Sequence, residues 1–284
     1  MDKLDLKHYI VVAHHRMEKK NHYIAFLDIL GFKDLIENNQ LDDVIKLYDK
    51  FEPSLLYSMA FTNLEWRSKN LKNSDLPGLD NMPLNSLMIS DSILIWTDSD
   101  SGKDFIQLLN TVKYHFQLAL SYGVPLRGAI TFGELAIKSG VHEKSNKMNG
   151  FSTILGKPLT KAYILENQAE WSGCIVDQDC IDYYNDYVGD DELPADTEFL
   201  EQMTMLKRYK VPMKSGELKE YYTVNWTTFG NKRVERDSIR KSFSKHSKRV
   251  NNWAVETKIL NTLRYFDETE SDHENFVAFM DKRK

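Results

Sequence analysis

Tyr23-Ile-Ala-Phe-Leu-Asp28-Ile-Leu-Gly31-Phe32 is the stretch on which the fold turns. Seven of its first eight residues are apolar or aromatic, dense enough for a strand buried on both faces. Asp28 interrupts the run near its end, and Gly31 follows as a chain-reversing residue. A carboxylate at the end of a buried strand is costly unless something cationic neutralises it; a metal ion, an arginine or a lysine would serve. A second stretch poses the same problem. Leu87-Met-Ile-Ser90-Asp91-Ser92-Ile-Leu-Ile-Trp96 puts Asp91 between two apolar runs, where a tight hairpin would carry it. The question is whether the two aspartates meet at the same cations.

Composition narrows the function classes. The chain has 284 residues, 42% of them hydrophobic, which supports one large domain or one domain with an appendage. No run approaches the ~18 apolar residues of a membrane span. Residues 1–20 are charged throughout and lack a signal-peptide apolar core. Cys174 and Cys180 fit a reduced intracellular pair, so a cytoplasmic location is expected. No Cys/His array has zinc spacing. The net charge of −5 speaks against a general nucleic-acid surface.

Residues 1–22 read as an arm or short helix, with His14 and His15 as surface residues, and strand one as 23–30. Residues 33–39 suggest a short helix. Residues 41–71 carry apolar residues at helical spacing through Leu64, with a kink or break expected at Pro53. Residues 73–85 form a loop. Strands at 87–89 and 93–96 flank the Asp91 turn, and Asp98 and Asp100 are turn residues. The cleanest amphipathic helix spans 105–122, with Phe105, Leu108, Leu109, Val112, Phe116, Ala119 and Leu120 on one face and Gly123 as its C-cap. A strand follows from Pro125 toward Ile137. Residues 139–150 read as polar and mobile, and 154–169 as a turn into a helix with Pro158 in its first turn. A strand at 173–176 precedes an acidic, aromatic insertion at 183–198. A hairpin at 211–226 turns through Ser215-Gly216, and the chain is helical from Arg233 onward. The order β, α, β, β, α, β is the split βαβ, ferredoxin-like pattern, which brings the end of strand one to the hairpin turn and Asp28 near Asp91.

Two carboxylates that bridge a pair of divalent cations suit phosphoryl transfer, with metals ~3.5–4 Å apart. Oxygen ligands favour Mg²⁺ or Mn²⁺, and the backbone carbonyl of Ile29 is a natural extra ligand. The plainer alternative has Asp28 capping the next helix and Asp91 only forming its turn.

At these residues the chain resembles a known family. Phe26-Leu-Asp-Ile-Leu-Gly-Phe32 looks like the first metal motif of class III nucleotidyl cyclases, and Ser90-Asp91-Ser92 is similar to their Gly-Asp hairpin. Leu126-Arg-Gly-Ala-Ile-Thr-Phe-Gly133 resembles their next strand. Gly156-Lys-Pro-Leu-Thr-Lys-Ala-Tyr163 stands where the family begins its asparagine- and arginine-bearing helix, but Thr160 and Ile164 occupy those two positions. The likeness covers roughly residues 23–177. With Leu87 and Thr153 at the purine-reading positions, the pattern is most similar to the bacterial pyrimidine cyclases of Pycsar antiphage defence. The resemblance implies an α+β, ferredoxin-like βαββαβ cyclase core at 23–230, between an arm at 1–22 and a helical extension at 231–284. It implies two Mn²⁺ or Mg²⁺ ions on Asp28 and Asp91, with the Ile29 carbonyl as the extra ligand; Phe32, Arg127, Thr160 and Lys161 are the candidate substrate residues, Lys161 supplying the positive charge that Ile164 lacks. It further implies UTP or CTP as substrate, a homodimer with shared sites, and a separate effector that senses the product. In that picture the metal face and the helix-motif face of one subunit lie far apart.

Arg127 has a competing reading as a structural salt bridge, and Lys161 as a solvated lysine. Lys157 does not complete a Walker loop, because Gly150 is one residue too far upstream and Pro158 replaces the hydroxyl residue. The basic run Arg233, Arg236, Arg240, Lys241, Lys245, Lys248 and Arg249 reads as a solvated helix face, or as a contact to triphosphate or to a second subunit. Two other classes stand beside the cyclase: a degenerate cyclase fold that only binds nucleotide or a partner, and a palm-type polymerase. The second is disfavoured because the hairpin carries one aspartate rather than two adjacent ones.

Overall fold

The computed structural model describes residues 17–63, 82–144, 147–188 and 196–282, with 139–151 and 187–188 described by their backbone alone. The α+β class expected from the sequence holds. β1 (Lys19–Ile29) runs antiparallel between β3 (Ser92–Thr97) and β4 (Leu126–Lys144), and β2 (Leu84–Ile89) pairs with β3. α1 (Phe32–Glu37) and α2 (Leu41–Phe61) connect β1 toward β2, and α3 (Gly102–Tyr122) connects β3 to β4. The order β2-β3-β1-β4 is that of the split βαβ core. Beyond it, β5 (Lys147–Leu155) pairs with β4, and α4 (Lys157–Gln168) leads to β6 (Cys174–Val176), which lies parallel to β4. β8 (Leu218–Val224) and β7 (Leu206–Pro212) extend that side of the sheet. α5 (Gln178–Val188) and α6 (Thr197–Gln202) stand between β6 and β7. The small ladder of β9 (Thr228–Phe229) and β10 (Lys232–Arg233) precedes α7 (Arg236–Ser244), α8 (Trp253–Glu268) and α9 (Glu270–Asp281).

The two-residue period of β1 sorts its side chains between the faces of the sheet. Tyr23 stacks on Phe105 of α3, with ring centroids 4.6 Å apart, and Ala25, Leu27 and Ile29 join the same core. Ile24 packs with Trp96 and Leu135 in a separate cluster, and the Phe26 ring meets Tyr163 of α4 at 5.5 Å. Asp28, two residues after Phe26, therefore shares the α4 face. All seven apolar residues expected on one face of α3 are buried, each large one stabilising the fold by roughly 1.5–3 kcal/mol. Ser101 Oγ accepts from Asp104 N at its start, and Gly123 ends it at φ 80°.

Several expectations are corrected. β1 starts at Lys19 rather than Tyr23, because Lys19, Lys20 and Asn21 pair with Ala136, Leu135 and Glu134 of an unusually long β4. α2 continues through Pro53, held by Val44, Leu47, Phe51, Leu55 and Met59 in the core. Residues expected to be polar and mobile instead join the β4–β5 ladder, with Ser139 opposite Ser152; main-chain pairing needs no apolar side chains, so hydropathy does not reveal it. Gly156 makes the tight exit from that ladder, where an added Cβ would lie 2.5 Å from Glu134 O. The acidic insertion begins as helix α5, whose Tyr184 is buried and whose Tyr183 stacks on Phe132 at 4.0 Å. The 215–216 turn is as expected, but its first strand begins at Leu206. His14, His15, Leu64 and most of the 73–85 loop lie outside the described residues. Cys174 and Cys180 are both free and buried. No described helix is long and apolar enough to cross a membrane.

Candidate active site

Asp28 stands one residue before the end of β1, opposite Ser92 on one side and Arg127 on the other. The β2–β3 hairpin turns through Ser90 and Asp91, and the Ile29 amide donates to Asp91 O at 3.0 Å, fastening the end of β1 to the turn. Ser90 sits at φ 58°, in the left-handed region that favours glycine. Its carbonyl accepts from the Tyr48 hydroxyl at 3.1 Å. The two aspartates singled out from the sequence thus come to one end of the sheet. Phe32, in the first turn of α1, packs edge-on against Tyr48 with centroids 6.4 Å apart.

The charge around Asp28 is poorly balanced. Burial, followed by repulsion from Glu166, pushes its pKa up to about 7; Arg127 opposes the shift and Asp91 adds to it. Arg127 is divided among several partners. Its Nη2 lies 3.6 Å from Asp28 Oδ2, its Nε and Nη2 bind Glu166, and its Nη1 donates to Ala169 O at 2.9 Å. Glu166 on α4 is only 3% exposed and takes the closer share of the guanidinium. Its own pKa is raised by burial, with Arg127 acting against the rise.

α4 carries exposed residues at Thr160, Tyr163, Ile164, Asn167 and Gln168, a spacing that sets them along one face. The later part of that face and the β7–β8 hairpin enclose an open cleft of about 470 Å³, lined by Tyr163, Ile164, Asn167, Gln168 and Lys214 among others. Lys214 Nζ donates to Asn167 Oδ1 at 2.7 Å, and its main-chain amide to Gln168 O at 2.7 Å. Its pKa is lowered, first by burial and then by the neighbouring Arg127 charge, and its own charge acts on Asp28 and Glu166. Asp28 and α4 of one chain are therefore neighbours rather than far apart. Phe26 touches Tyr163, and Arg127 bridges Asp28 to Glu166.

Lys161 is placed differently. Its ammonium pairs with Asp177 and Asp179, at 2.5 and 2.7 Å, between the end of β6 and the start of α5. Burial alone would lower its pKa, but the two carboxylates outweigh this and hold it above the ordinary lysine value. Thr160 is exposed one residue earlier.

No family model and no curated protein matches the sequence. Solved structures similar to this one include the guanylyl cyclase Cya2, at 10% identity and TM-score 0.45 over 74% of this chain and 93% of that one. The adenylyl cyclase CyaB from P. aeruginosa is similar at 13% identity and TM-score 0.46, over 78% and 100%. A class III adenylyl cyclase-like ATP-binding protein from Pseudomonas aeruginosa is similar at 12% identity and TM-score 0.37, over 58% and 35%.

The donors at the end of β1 fit a hard divalent cation. Asp28, Asp91 and the Ile29 carbonyl all offer oxygen donors, and burial together with the neighbouring Glu166 carboxylate raises the pKa of Asp28, so a cation there would favour its charged form. Among the described residues, no group of three or more His, Cys, Asp or Glu side chains has the arrangement to hold a metal by itself. Two carboxylates suit Mg²⁺ or Mn²⁺ whose remaining positions are filled from outside the protein, by water or by a bound ligand's oxygens. Glu166 and Lys214 escaped the sequence reading. Lys214 directly precedes a recognised turn, but the local pattern does not say which hairpin side chain returns toward the sheet.

Proposed function

We propose that this chain is a nucleotidyl cyclase that converts a pyrimidine ribonucleoside triphosphate, UTP or CTP, to its 3′,5′-cyclic monophosphate. The observation that carries this reading is the meeting of Asp28 with the Asp91 turn beside the Lys214 cleft. In the reaction the 3′-oxygen bonds to the α-phosphorus as the bond to the bridging oxygen breaks. That electron pair leaves with pyrophosphate, and the hydroxyl proton passes to solvent. Asp28, Asp91 and the Ile29 carbonyl would hold two Mn²⁺ or Mg²⁺ ions. When bound, such ions lower the pKa of an attacking hydroxyl and neutralise charge on the phosphates. Lys214 brings a cation to the cleft where Ile164 brings none. It takes the substrate role first considered for Lys161, whose charge is already matched by Asp177 and Asp179. Arg127 balances Asp28 and Glu166 rather than reaching substrate, Thr160 offers its hydroxyl to ribose, and Phe32 shapes the mouth of the site. In this reading the product is a signal to a separate effector in antiphage defence.

A second reading, a nucleotide- or partner-binding module without turnover, is favoured by one observation: the Arg127 guanidinium is committed to protein groups. Incubation with each of UTP, CTP, ATP and GTP plus Mn²⁺, followed by mass analysis, separates the two. The cyclase reading expects cyclic UMP or cyclic CMP with pyrophosphate; binding without product supports the module. Pyrimidine turnover is expected to dominate, since Leu87 is packed into an apolar cluster and offers a purine no polar contact. Comparable turnover of ATP or GTP rejects the pyrimidine assignment while leaving the cyclase intact.

The protein works, in this proposal, as a C₂ homodimer, although the donors of Asp28 and the α4 face, expected to come from different subunits, stand side by side in one chain. Ile89, Leu155, Tyr163, Ile164 and Leu218, each 46–61% exposed, supply large apolar groups for that contact. Ile164→Glu is expected to give a monomer by sedimentation and to lose most turnover. A fully active monomer at assay concentration would reject the functional dimer.

A further inference from the structure

The segment 245–249, part of the basic run between α7 and α8, is tied to two other parts of the molecule. On one side it meets the C-terminal end of α3. Lys245 Nζ donates to Ser121 O at 2.8 Å, a His246 ring nitrogen bonds Tyr122 O at 2.6 Å, and Lys248 Nζ donates to Gly123 O at 2.7 Å. Helix C-termini leave carbonyls without intrahelical partners and carry partial negative charge, so cationic donors are well placed there. On the other side it grips α1. The Arg249 amide and guanidinium donate to the two carboxylate oxygens of Asp34, at 3.0 and 2.8 Å, and the guanidinium also lies 3.6 Å from Glu37. Asn39 Nδ2 donates to His246 O at 2.6 Å. The Lys248 stem lies under Gly31, so close that a Cβ on the glycine would be 3.1 Å from Lys248 Cδ. His246 and Ser247 both adopt φ above 50°, a costly backbone for residues with side chains, which the surrounding contacts hold in place.

α1 needs such support. It has six residues, Leu35 is its buried residue, and a helix this short is not stable alone. Yet α1 begins three residues after Ile29, across the left-handed Gly31, so it packs at the open end of the strand beyond those donors, where the sheet pairing of Asp28 and Ile29 stops. We infer that segment 245–249 is a positioning clamp: by holding α1 and Gly31 against the end of α3, it fixes the Asp28–Ile29 end of β1 for divalent-cation binding and catalysis. The inference rests on the proposed cyclase reading for its catalytic part only.

The test uses the full chain with Arg249→Ala and the conservative Arg249→Lys. Hydrogen exchange of the amides at 32–37 reads the clamp itself, Mn²⁺ titration calorimetry reads the donors, and kcat reads the reaction. Arg249→Ala is expected to speed exchange in α1 by about tenfold or more. It weakens Mn²⁺ binding by roughly ten- to a hundredfold, as loss of a residue that orients ligands does. It lowers kcat by about tenfold or more. The melting temperature moves little, because an exposed ion pair contributes little to stability. Arg249→Lys recovers much of all three readouts. Unchanged exchange in α1 overturns the clamp, and faster exchange with unaltered Mn²⁺ affinity overturns its positioning role. A wild-type chain that binds Mn²⁺ but turns nothing over rejects the cyclase reading alone; the exchange and calorimetry arms still decide the clamp.

Discussion

Asp28→Asn and Asp91→Asn are each expected to lower cyclic-nucleotide formation by about a thousandfold or more, the several kcal/mol that bound cations supply to phosphoryl transfer. Folding survives both changes, and Asp28→Asn is expected to stabilise the metal-free protein. The sign follows from the Asp28 pKa, raised in the fold from 3.8 to about 7. A group raised in this way contributes its full stability below its unfolded value and loses it as pH rises through the folded value. Wild-type protein in chelator therefore loses stability on this account between about pH 4 and pH 7, and the asparagine variant does not. The melting-temperature difference between them should grow across that window and level off above it. Mn²⁺ should then raise the wild-type melting temperature at pH 8 and leave Asp28→Asn nearly unmoved. Near-normal turnover in either variant ends the two-metal assignment, and a pH-independent melting difference ends the account of Asp28.

Arg127→Met is expected to be the most destabilising single change near the site. It leaves Glu166, 3% exposed, without its cation, and removes the charge that offsets repulsion at Asp28. Breaking one partner out of a buried ion pair costs about 3–5 kcal/mol, whereas replacing the whole pair by apolar side chains of similar volume is often neutral. Arg127→Met combined with Glu166→Met should therefore recover most of the loss in urea denaturation. A single variant that loses under about 1 kcal/mol, the range of a surface pair, would show that Arg127 is not structural and return it to the substrate. The double variant restores stability without either charge, so any activity that stays missing belongs to the Arg127–Glu166 pair and its effect on Asp28 rather than to lost folding.

The sequence was sufficient for the core of this protein because its information there is local. An apolar run broken by Asp28, a hairpin around Asp91 and one amphipathic helix at 105–122 specify strand, turn and packing face through short periodicities. With them came the split βαβ order, and that order alone brings the two aspartates together. What the tertiary structure decided lies between segments far apart in the chain. Arg127 and Glu166 are 39 residues apart and meet only because α4 docks over β1 and β4. Arg249 and Asp34 are 215 residues apart, and on a helical wheel the basic run is merely a polar face. The 139–150 stretch reads as mobile because hydropathy reports side chains, while the ladder over residues 139–144 and 147–150 is made by the main chain. Lys161 looks available until the fold sets Asp177 and Asp179 around it. Periodicity tells a residue which side of its own element it faces; which charge waits on the other side depends on how the elements dock.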